Sequence, residues 1–337
     1  MTRIAIVGAG TIGAVHATAY RAAGAELVAI VEPVPEAAES FARRFDLAAY
    51  GSLDDLLASP DRPDAISICT PPFTHRELAT AALDAGLHVL CEKPMAHTLD
   101  DAEAIFRAAE EAGSTFATAY CHRFQPEIEA IAGLIGEGRI GAVRSFYNAF
   151  TGDQPGIETR WFGRKRLAGG GAVMDTAIHS IDIFRYLCGE VVDGTGVATD
   201  TLDGTELEVE HTATLGLVSG SGVIGTIDCS WKSAPGRAVV QVTGAMGRLS
   251  FDYTQPGHVV FEDEDGNAER IPAGGDDRFL REIRSFLQAV ENGDAPRTGA
   301  IDGLVGLAVV DAVYRERSER SVRLPSVAGA VLQRPAV

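Results

Sequence analysis

A lysine in an unusual position is the first candidate for chemistry in this sequence. Lys93 stands in a Glu-Lys-Pro tripeptide directly after the short apolar run 88–91. Strand ends in an α/β sheet border the crevice where ligands bind, and a lysine with little water around it loses proton affinity. We therefore expect Lys93 to exchange a proton near neutral pH. A solvated lysine in a strand-to-loop turn is the alternative interpretation of the tripeptide taken alone.

A second group of polar residues lies on a helix predicted at about 172–187. Most of its side chains are apolar, and Asp175, His179 and Asp182 are the exceptions. Their i, i+4, i+7 spacing places them on one face of the helix. Such a polar stripe either faces a cleft or is satisfied by internal hydrogen bonds. The glycines at 169–171, just before this helix, would let the backbone approach a ligand closely.

The glycines near the start of the chain form the most specific motif. Gly8, Gly10 and Gly13 follow a predicted strand and open a helix, and an acid, Glu32, ends the next strand about 20 residues later. In this pattern the glycines permit a tight turn, and the helix N-terminus faces a pyrophosphate. Glu32 would accept hydrogen bonds from both ribose hydroxyls and repel a 2′-phosphate. Because residues 33–35 bring no compensating arginine, the motif predicts NAD(H) rather than NADP(H).

The elements that position these residues change character near residue 120. Before it, apolar runs alternate with helix-forming stretches, which indicates a parallel sheet covered on both faces. The strands predicted there cover 4–7, 27–31, 65–69, 88–91 and 115–119, with helices such as 76–85 and 100–111. After it, successive β-rich segments predict a largely antiparallel open sheet. These segments are 144–150, 207–218, 223–231 and 238–242, with a hairpin connection at 244–247 and later helices at 277–290 and 302–319.

In these motifs the sequence resembles the Gfo/Idh/MocA oxidoreductases, the relatives of glucose–fructose oxidoreductase and inositol dehydrogenase. Besides the glycine motif, the resemblance rests on the segments 68–75, 85–94, 123–124, 169–182 and 242–247. It implies an α/β fold, with an N-terminal Rossmann domain (1–121) and a C-terminal α+β domain (122–337) built on a large, mostly antiparallel open sheet. It also implies that a partner subunit covers that sheet, in a homodimer or homotetramer.

The resemblance implies a role for each matching residue. The implied catalytic set is Lys93, Asp175 and His179. The implied cofactor-binding residues are Gly8, Gly10, Thr11, Ile12, Gly13, Glu32, Thr70, Pro71, His75, Glu92, Lys93 and His122. The implied substrate contacts are Lys93, Arg123, Trp161, Asp175 and His179, and the bond between Lys93 and Pro94 is expected to be cis.

Composition disfavours several classes of partner. The formal net charge of −18 argues against nucleic acid and against an anionic membrane. The five cysteines are scattered and odd in number, which fits reduced thiols and neither disulfides nor a zinc site. A metal held by Asp175 and His179 is disfavoured because no third ligand is evident and Lys93 would be a poor neighbour. Since the sequence has no secretory signal and no long apolar segment, we expect a cytoplasmic protein.

Together these features predict reversible hydride transfer between a secondary alcohol of a sugar, cyclitol or related polyol and C4 of nicotinamide. His179 would remove the hydroxyl proton, Lys93 would stabilise the alkoxide, and Asp175 would orient His179 or a neighbouring hydroxyl. Such a base predicts an oxidation rate that rises through about pH 7–8. Two other functions stay open: a redox-assisted glycosidase that reuses its bound NAD, and a sensor that binds NAD and a sugar without chemistry.

Overall fold

A parallel sheet of six strands forms the N-terminal part of the protein. The structure, a computed structural model, describes residues 1–199 and 206–319. The strands are β1 (Arg3–Val7), β2 (Glu26–Val31), β3 (Ala48–Tyr50), β4 (Ala65–Ile68), β5 (His88–Glu92) and β6 (Phe116–Ala119). They lie in the order β3-β2-β1-β4-β5-β6, and every neighbouring pair is parallel.

Both faces of this sheet are buried, as its continuous apolar strands predict. Along β1, Ile4 and Ile6 belong to one hydrophobic cluster and Ala5 and Val7 to another, all at most 2% exposed. The helices are α1 (Thr11–Ala22), α2 (Pro35–Phe45), α3 (Leu53–Leu57), α4 (His75–Asp84) and α5 (Leu99–Ala112). The five predicted strands are confirmed. The short elements β3 and α3 were not predicted, because so few residues show no periodicity.

The second sheet has eight strands and follows helix α6 (Pro126–Gly136). The strands are β7 (Val143–Asp153), β8 (Val191–Thr199), β9 (Thr212–Ser219), β10 (Ile224–Ser230), β11 (Lys232–Gly244), β12 (Gly247–Asp252), β13 (Gly257–Asp263) and β14 (Ala268–Ala273). Their order is β14-β13-β12-β11-β7-β10-β9-β8. Among these strands β7 and β10 pair in parallel, and the other neighbours are antiparallel. The predicted, largely antiparallel sheet and the hairpin between β11 and β12 are confirmed.

One strand predicted in this part was too long. The segment 207–211 is a loop, and β9 begins only at Thr212. The loop brings the side chain of Glu210 to the start of a helix, where its carboxylate accepts backbone N–H groups. That tertiary contact outweighs the β propensity of the segment. A short helix, α7 (Lys165–Ala168), lies on the other side of the same loop.

The helix predicted at 172–187 is present but does not begin as a regular α-helix. Its first turn is a π-helical turn (Val173–Ala177), which leads into α8 (Ile178–Cys188). A π-helical turn is wider than an α-helical one and often occurs at functional sites. The i, i+4 rule therefore does not apply across it, and Asp175 and His179 need not share one face.

The last two helices return to the first sheet. Helix α9 (Arg278–Asn292) packs on α1, and α10 (Ala300–Glu319) packs on α5 and β6. The N–H of Thr118 in β6 donates to the carbonyl oxygen of Thr298 at 2.7 Å. One hydrophobic cluster contains residues of both sheets, so the two parts of the chain share a core. No helix in the described ranges is long and apolar enough to cross a membrane.

Candidate active site

A cavity of about 640 Å³ lies along the carboxyl ends of β1, β2, β4 and β5. It extends from the glycine turn after β1 to the segment 160–162. The predicted site residues that line it are Gly8, Gly10, Thr11, Ile12, Glu32, Thr70, Pro71, Glu92, Lys93, Trp161 and Asp175. The other predicted site residues lie outside this lining, and their positions are described in the following paragraphs.

The glycine turn determines the shape of one end of the cavity. Gly8 has a φ of 105°, and a Cβ there would lie 2.8 Å from the carbonyl oxygen of Cys69. A Cβ on Gly13 would lie 2.2 Å from the carbonyl oxygen of Gly8, so α1 approaches the turn this closely only with glycine. A Cβ on Gly10 would meet nothing within 4 Å. This open space at the first turn of α1 fits a pyrophosphate, because the N–H groups there have no intrahelical partner.

Glu32 is held against the glycine turn by two backbone hydrogen bonds. Its Oε2 accepts from the N–H of Ala9 at 3.0 Å, and its Oε1 accepts from the N–H of Val34 at 3.1 Å. The remaining lone pairs of the carboxylate can accept from ribose hydroxyls. A fixed negative charge at this point opposes a 2′-phosphate.

Glu92 is held by a histidine that the sequence analysis did not identify. Its Oε1 lies 3.0 Å from Nε2 of His16, and its Oε2 accepts from the N–H of Lys93 at 3.0 Å. Nδ1 of His16 lies 2.7 Å from Oγ of Ser67. Burial opposes the charged form of His16, but Cys69 and Glu92 together hold its pKa well above the ordinary value. The one signal in the sequence was a histidine among the small and apolar residues that α1 buries.

Lys93 links the end of β5 to the π-helical turn that precedes α8. Its Nζ donates to Oδ1 of Asp175 at 2.7 Å and to the carbonyl oxygen of Asp175 at 2.8 Å. The two side chains are 16% and 21% exposed, so the pair is largely removed from water. The bond between Lys93 and Pro94 is cis, as the resemblance implied. The first two members of the implied catalytic set are therefore in direct contact.

The charge state of Lys93 differs from the sequence-based expectation. Burial lowers the pKa of an ammonium group, and that was the basis of the expectation. At Lys93 the carboxylates of Asp175 and Glu92 outweigh burial, and the pKa is raised above its ordinary value. Lys93 is therefore a cation near neutral pH. It can stabilise a developing negative charge, but it does not readily accept a proton.

His179 is buried close to this pair. Burial lowers the pKa of His179 well below its ordinary 6.5, and the positive charge of Lys93 lowers it further. The imidazole is therefore neutral near pH 7, which is the form that accepts a proton. Its Nδ1 has no hydrogen-bond partner among the described residues. The carboxylate of Asp175 contacts Lys93 and, at 3.4 Å, the hydroxyl of Thr176.

An aromatic cluster lies next to His179. The ring of His122 meets that of His179 edge-on, with centroids 4.5 Å apart. Nδ1 of His122 lies 2.9 Å from the hydroxyl of Tyr253, and the ring of Phe150 is 5.0 Å from that of His122. Phe150 is on β7 and Tyr253 follows β12, so the second sheet supplies this side of the site. Nothing in the local sequence pattern distinguishes these two aromatic residues from core residues.

The glycines before the π-helical turn let other parts of the protein pack closely against this segment. A Cβ on Gly171 would lie 1.8 Å from the carbonyl oxygen of Glu210. The carboxylate of Glu210 accepts the N–H groups of Gly171 and Val173, each at 3.0 Å. The small residues therefore let the loop 207–211 satisfy the first N–H groups of this helix.

Trp161 lines the cavity, and its ring stacks on Phe162 with centroids 3.7 Å apart. The guanidinium of Arg160 lies 4.9 Å above the ring of Phe162 and also borders the cavity. Arg164 forms an ion pair with Glu208 at 3.2 Å. The basic segment 160–166 is therefore divided: Arg160 borders the cavity, and Arg164 is bound by a neighbouring loop.

His75 is fully buried beneath the cavity and does not line it. Its two ring nitrogens lie 3.0 Å from the carbonyl oxygen of Pro94 and 2.8 Å from that of Thr70. It thereby joins the loop after β4 to the loop after β5. In this structure His75 positions two cavity loops.

Arg123 lies in the scaffold behind the site. It is 7% exposed, and its guanidinium binds the carboxylate of Asp182 on α8 and, at 3.0 Å, that of Asp302 on α10. Asp182, which the sequence placed on the polar stripe, is thus paired with an arginine and lies 1% exposed. Burial raises the pKa of Asp182, and the charge of Arg123 opposes that rise.

Replacing Arg123 with methionine should lower the free energy of unfolding by about 3–5 kcal/mol, because the buried Asp182 loses its partner. Urea denaturation followed by circular dichroism measures this. The matched control is Arg284→Met, which breaks an ion pair with Asp276 that is half exposed. We expect the control to cost less than about 1 kcal/mol. Equal losses in the two variants would contradict the assignment of Arg123 to the scaffold.

Comparison with known proteins gives consistent results over almost the whole chain. Residues 2–120 match the Gfo/Idh/MocA oxidoreductase family, NAD-binding Rossmann fold, and residues 128–250 match the Gfo/Idh/MocA C-terminal domain. The chain is 30% identical to the D-apiose dehydrogenase of Paraburkholderia graminis, over 96% of this chain and 90% of that protein. It is also 30% identical to the inositol 2-dehydrogenase of Rhizobium meliloti, over 94% and 97%.

A solved structure supports the same relationship. A levoglucosan dehydrogenase in complex with NADH and levoglucosan superimposes with a TM-score of 0.88, at 25% identity, over 95% of this chain and 98% of that one. The TM-score shows that the two chains share one fold, which in this chain joins a parallel sheet to a mostly antiparallel one. The two family matches and the relatives at 30% identity lead to one conclusion: the chain belongs to the Gfo/Idh/MocA family of NAD-binding oxidoreductases.

Proposed function

We propose that this enzyme oxidises a secondary hydroxyl of a sugar, cyclitol or related polyol, reversibly, with NAD as the hydride acceptor. The observation that carries the proposal is the contact of 2.7 Å between Lys93 and Asp175, at the end of a cavity that begins at the glycine turn. The relatives named above are dehydrogenases of small sugars and cyclitols. The contact supports an acid–base role for these two residues, next to the end of the cavity expected to receive nicotinamide.

The charge states of the residues suggest how the proton is moved. Neutral His179 accepts the hydroxyl proton of the substrate. Cationic Lys93 donates a hydrogen bond to the same oxygen and stabilises its developing negative charge. Asp175 fixes the ammonium group of Lys93 and keeps it charged. Bound nicotinamide supplies the hydride acceptor at C4.

The residues that would bind the cofactor follow the cavity from one end to the other. The glycine turn and the first turn of α1 would receive the pyrophosphate, and Glu32 would accept from the ribose hydroxyls. Glu92, fixed by His16, and the loop at Thr70 and Pro71 border the region nearer to Lys93. Trp161 closes the other side of the cavity, where a sugar ring would lie against it. His122 and His179 lie outside the cavity lining, next to Lys93.

The choice of NAD over NADP should depend on Glu32. In Glu32→Ala the ratio of kcat/KM for NADP to that for NAD should rise by about 10-fold, which corresponds to about 1.4 kcal/mol. Steady-state kinetics with the best substrate measures this ratio. The control is Glu26→Ala, which removes an acid from the opposite, exposed end of the same strand. A wild-type enzyme that prefers NADP would contradict the proposal directly.

A screen of NAD reduction over a panel of polyols, aldoses, inositols and anhydrosugars tests the function as a whole. We expect NADH to accumulate with at least one member of the panel. Cleavage of a glycoside without net NADH would instead identify a redox-assisted glycosidase. Binding of NAD and a sugar without either reaction would identify a sensor. Soaking the best substrate into crystals would then show which carbon faces the cofactor.

We further propose a cytoplasmic homo-oligomer. Helices α6 and α8 cover one face of the eight-stranded sheet. The other face carries half-buried residues such as Tyr147, Asp228 and Gln241, and a second copy of the chain would cover it. Five buried, unpaired cysteines support a reducing compartment. Light scattering after gel filtration distinguishes monomer, dimer and tetramer.

A further inference from the structure

Three possible metal ligands meet near Lys93, whose positive charge is paired with Asp175 and so opposes a metal ion less than a free ammonium would. Cys121 and His122 are in the turn after β6, and His179 is in α8. One ligand atom from each of these residues lies within 4.8 Å of the other two. The sequence does not reveal this group, because the helix that carries His179 follows the turn by more than fifty residues.

Each histidine of this cluster has a ring nitrogen available for a metal. Nδ1 of His179 is buried and has no hydrogen-bond partner among the described residues. His122 uses Nδ1 for the hydroxyl of Tyr253, and the opposite ring nitrogen can still bind a metal. An imidazole binds a metal through an unprotonated ring nitrogen, and each of these two rings offers one in its neutral form.

The donor atoms of the cluster favour one class of metal ion. A thiolate with two imidazoles is a ligand set that prefers Zn²⁺ over Mg²⁺ or Ca²⁺. Tetrahedral zinc needs donor atoms about 3.4–3.6 Å apart, as follows from its bond lengths of about 2.0–2.3 Å. The cluster must therefore contract by about 1 Å, which rotation of the side chains can provide. The thiol of Cys121 would release its proton on binding the metal.

We propose that Cys121, His122 and His179 bind one Zn²⁺ ion and that this ion inhibits the enzyme. Three protein ligands leave a fourth position for water. Zinc bound to His179 removes the base that the proposed reaction needs. Metal binding itself does not depend on the proposed function, whereas inhibition does.

Cobalt titration of the tag-free, metal-stripped protein tests the site without any substrate. Co²⁺ bound to a thiolate gives a charge-transfer band in the near ultraviolet, and Zn²⁺ should displace the cobalt and abolish the band. We expect one ion per chain. In Cys121→Ser the band should disappear and binding should weaken by more than about 100-fold, because even second-shell changes cost roughly 10–100-fold. Cys188→Ser, a buried cysteine at the end of α8, is the matched control and should keep the band.

The results that would overturn the site are a wild-type protein without the band, or a band that survives in Cys121→Ser. Thermal unfolding checks that each variant is folded, and the wild-type titration decides the question even if Cys121→Ser is not.

Inhibition is measured as the zinc concentration that halves each variant's own metal-free rate. We expect that concentration to rise by more than about 100-fold in Cys121→Ser, in proportion to the loss of binding, and to stay unchanged in Cys188→Ser. Full activity of zinc-loaded enzyme would refute inhibition while leaving the binding result intact.

Discussion

Replacing Lys93 with methionine should lower kcat by about 10³-fold, within the range of roughly 10² to 10⁴ that one acid–base group contributes. Methionine keeps most of the length of the side chain and removes its charge. The ammonium of Lys93 is fixed at 2.7 Å from Asp175 and stays charged near neutral pH. Its loss therefore removes stabilisation of the alkoxide, and initial rates of NAD reduction measure the effect.

Lys232→Met provides a matched control for this experiment. Lys232 pairs with Glu158 at 3.2 Å, and its side chain is 15% exposed, against 16% for Lys93. We expect the control to change kcat by less than about 3-fold, because Lys232 does not line the cavity. Fluorescence titration with NADH should give similar affinities in both variants, which separates lost chemistry from lost folding. Near-normal turnover of Lys93→Met would refute the catalytic role.

Lys93→Arg extends the test to the geometry of the charge. Arginine restores the positive charge, but its planar guanidinium is larger and has a different hydrogen-bond geometry. The contacts of Nζ with two oxygens of Asp175 suit a compact ammonium group. We therefore expect Lys93→Arg to recover less than a tenth of the wild-type kcat, a difference of at least about 1.4 kcal/mol in the barrier.

The sequence predicted the cavity well because its determinants are local. The glycine turn needs glycine for steric reasons that hold at Gly8 and Gly13 in the structure. Glu32 and Lys93 were found because the residue at the end of an apolar strand borders the ligand crevice. In each case a run of a few residues fixes both the backbone and the place of the side chain.

What the sequence did not reveal depends on contacts between distant segments. The raised pKa of Lys93 results from Asp175, which is 82 residues away in the chain. His16 positions Glu92 across 76 residues, and no pattern in α1 indicates that partner. Arg123 was expected at the substrate because the resemblance covers it, yet its two carboxylate partners lie on α8 and α10. The burial of these charged groups and their pairing can therefore be identified only from the folded structure.

Replacing His179 with glutamine should lower kcat by about 10² to 10⁴-fold and remove the acidic limb of the pH profile. Glutamine retains polar atoms of similar reach but cannot accept a proton as a base. In the wild type, kcat/KM for sugar oxidation requires neutral His179 and is lost as the pH falls through the pKa of that residue. Burial and the charge of Lys93 hold this pKa well below 6.5. The limb should therefore lie below pH 6.5, and the rise through about pH 7–8 expected from an ordinary base should be absent.

The position of this limb distinguishes His179 from Lys93 as the base. If Lys93 accepted the proton, its raised pKa would place the rise far above neutral pH, and the limb would persist in His179→Gln. If His179 is the base, Lys93→Met should move the remaining limb toward higher pH, because a positive charge that lowers the pKa of His179 has been removed. Initial rates from pH 5 to 9 in the presence of a chelator measure both profiles over roughly the range in which histidine titrates. A limb that does not move in Lys93→Met would show that the two side chains are not coupled, and the proposed division of acid–base roles between them would then be wrong.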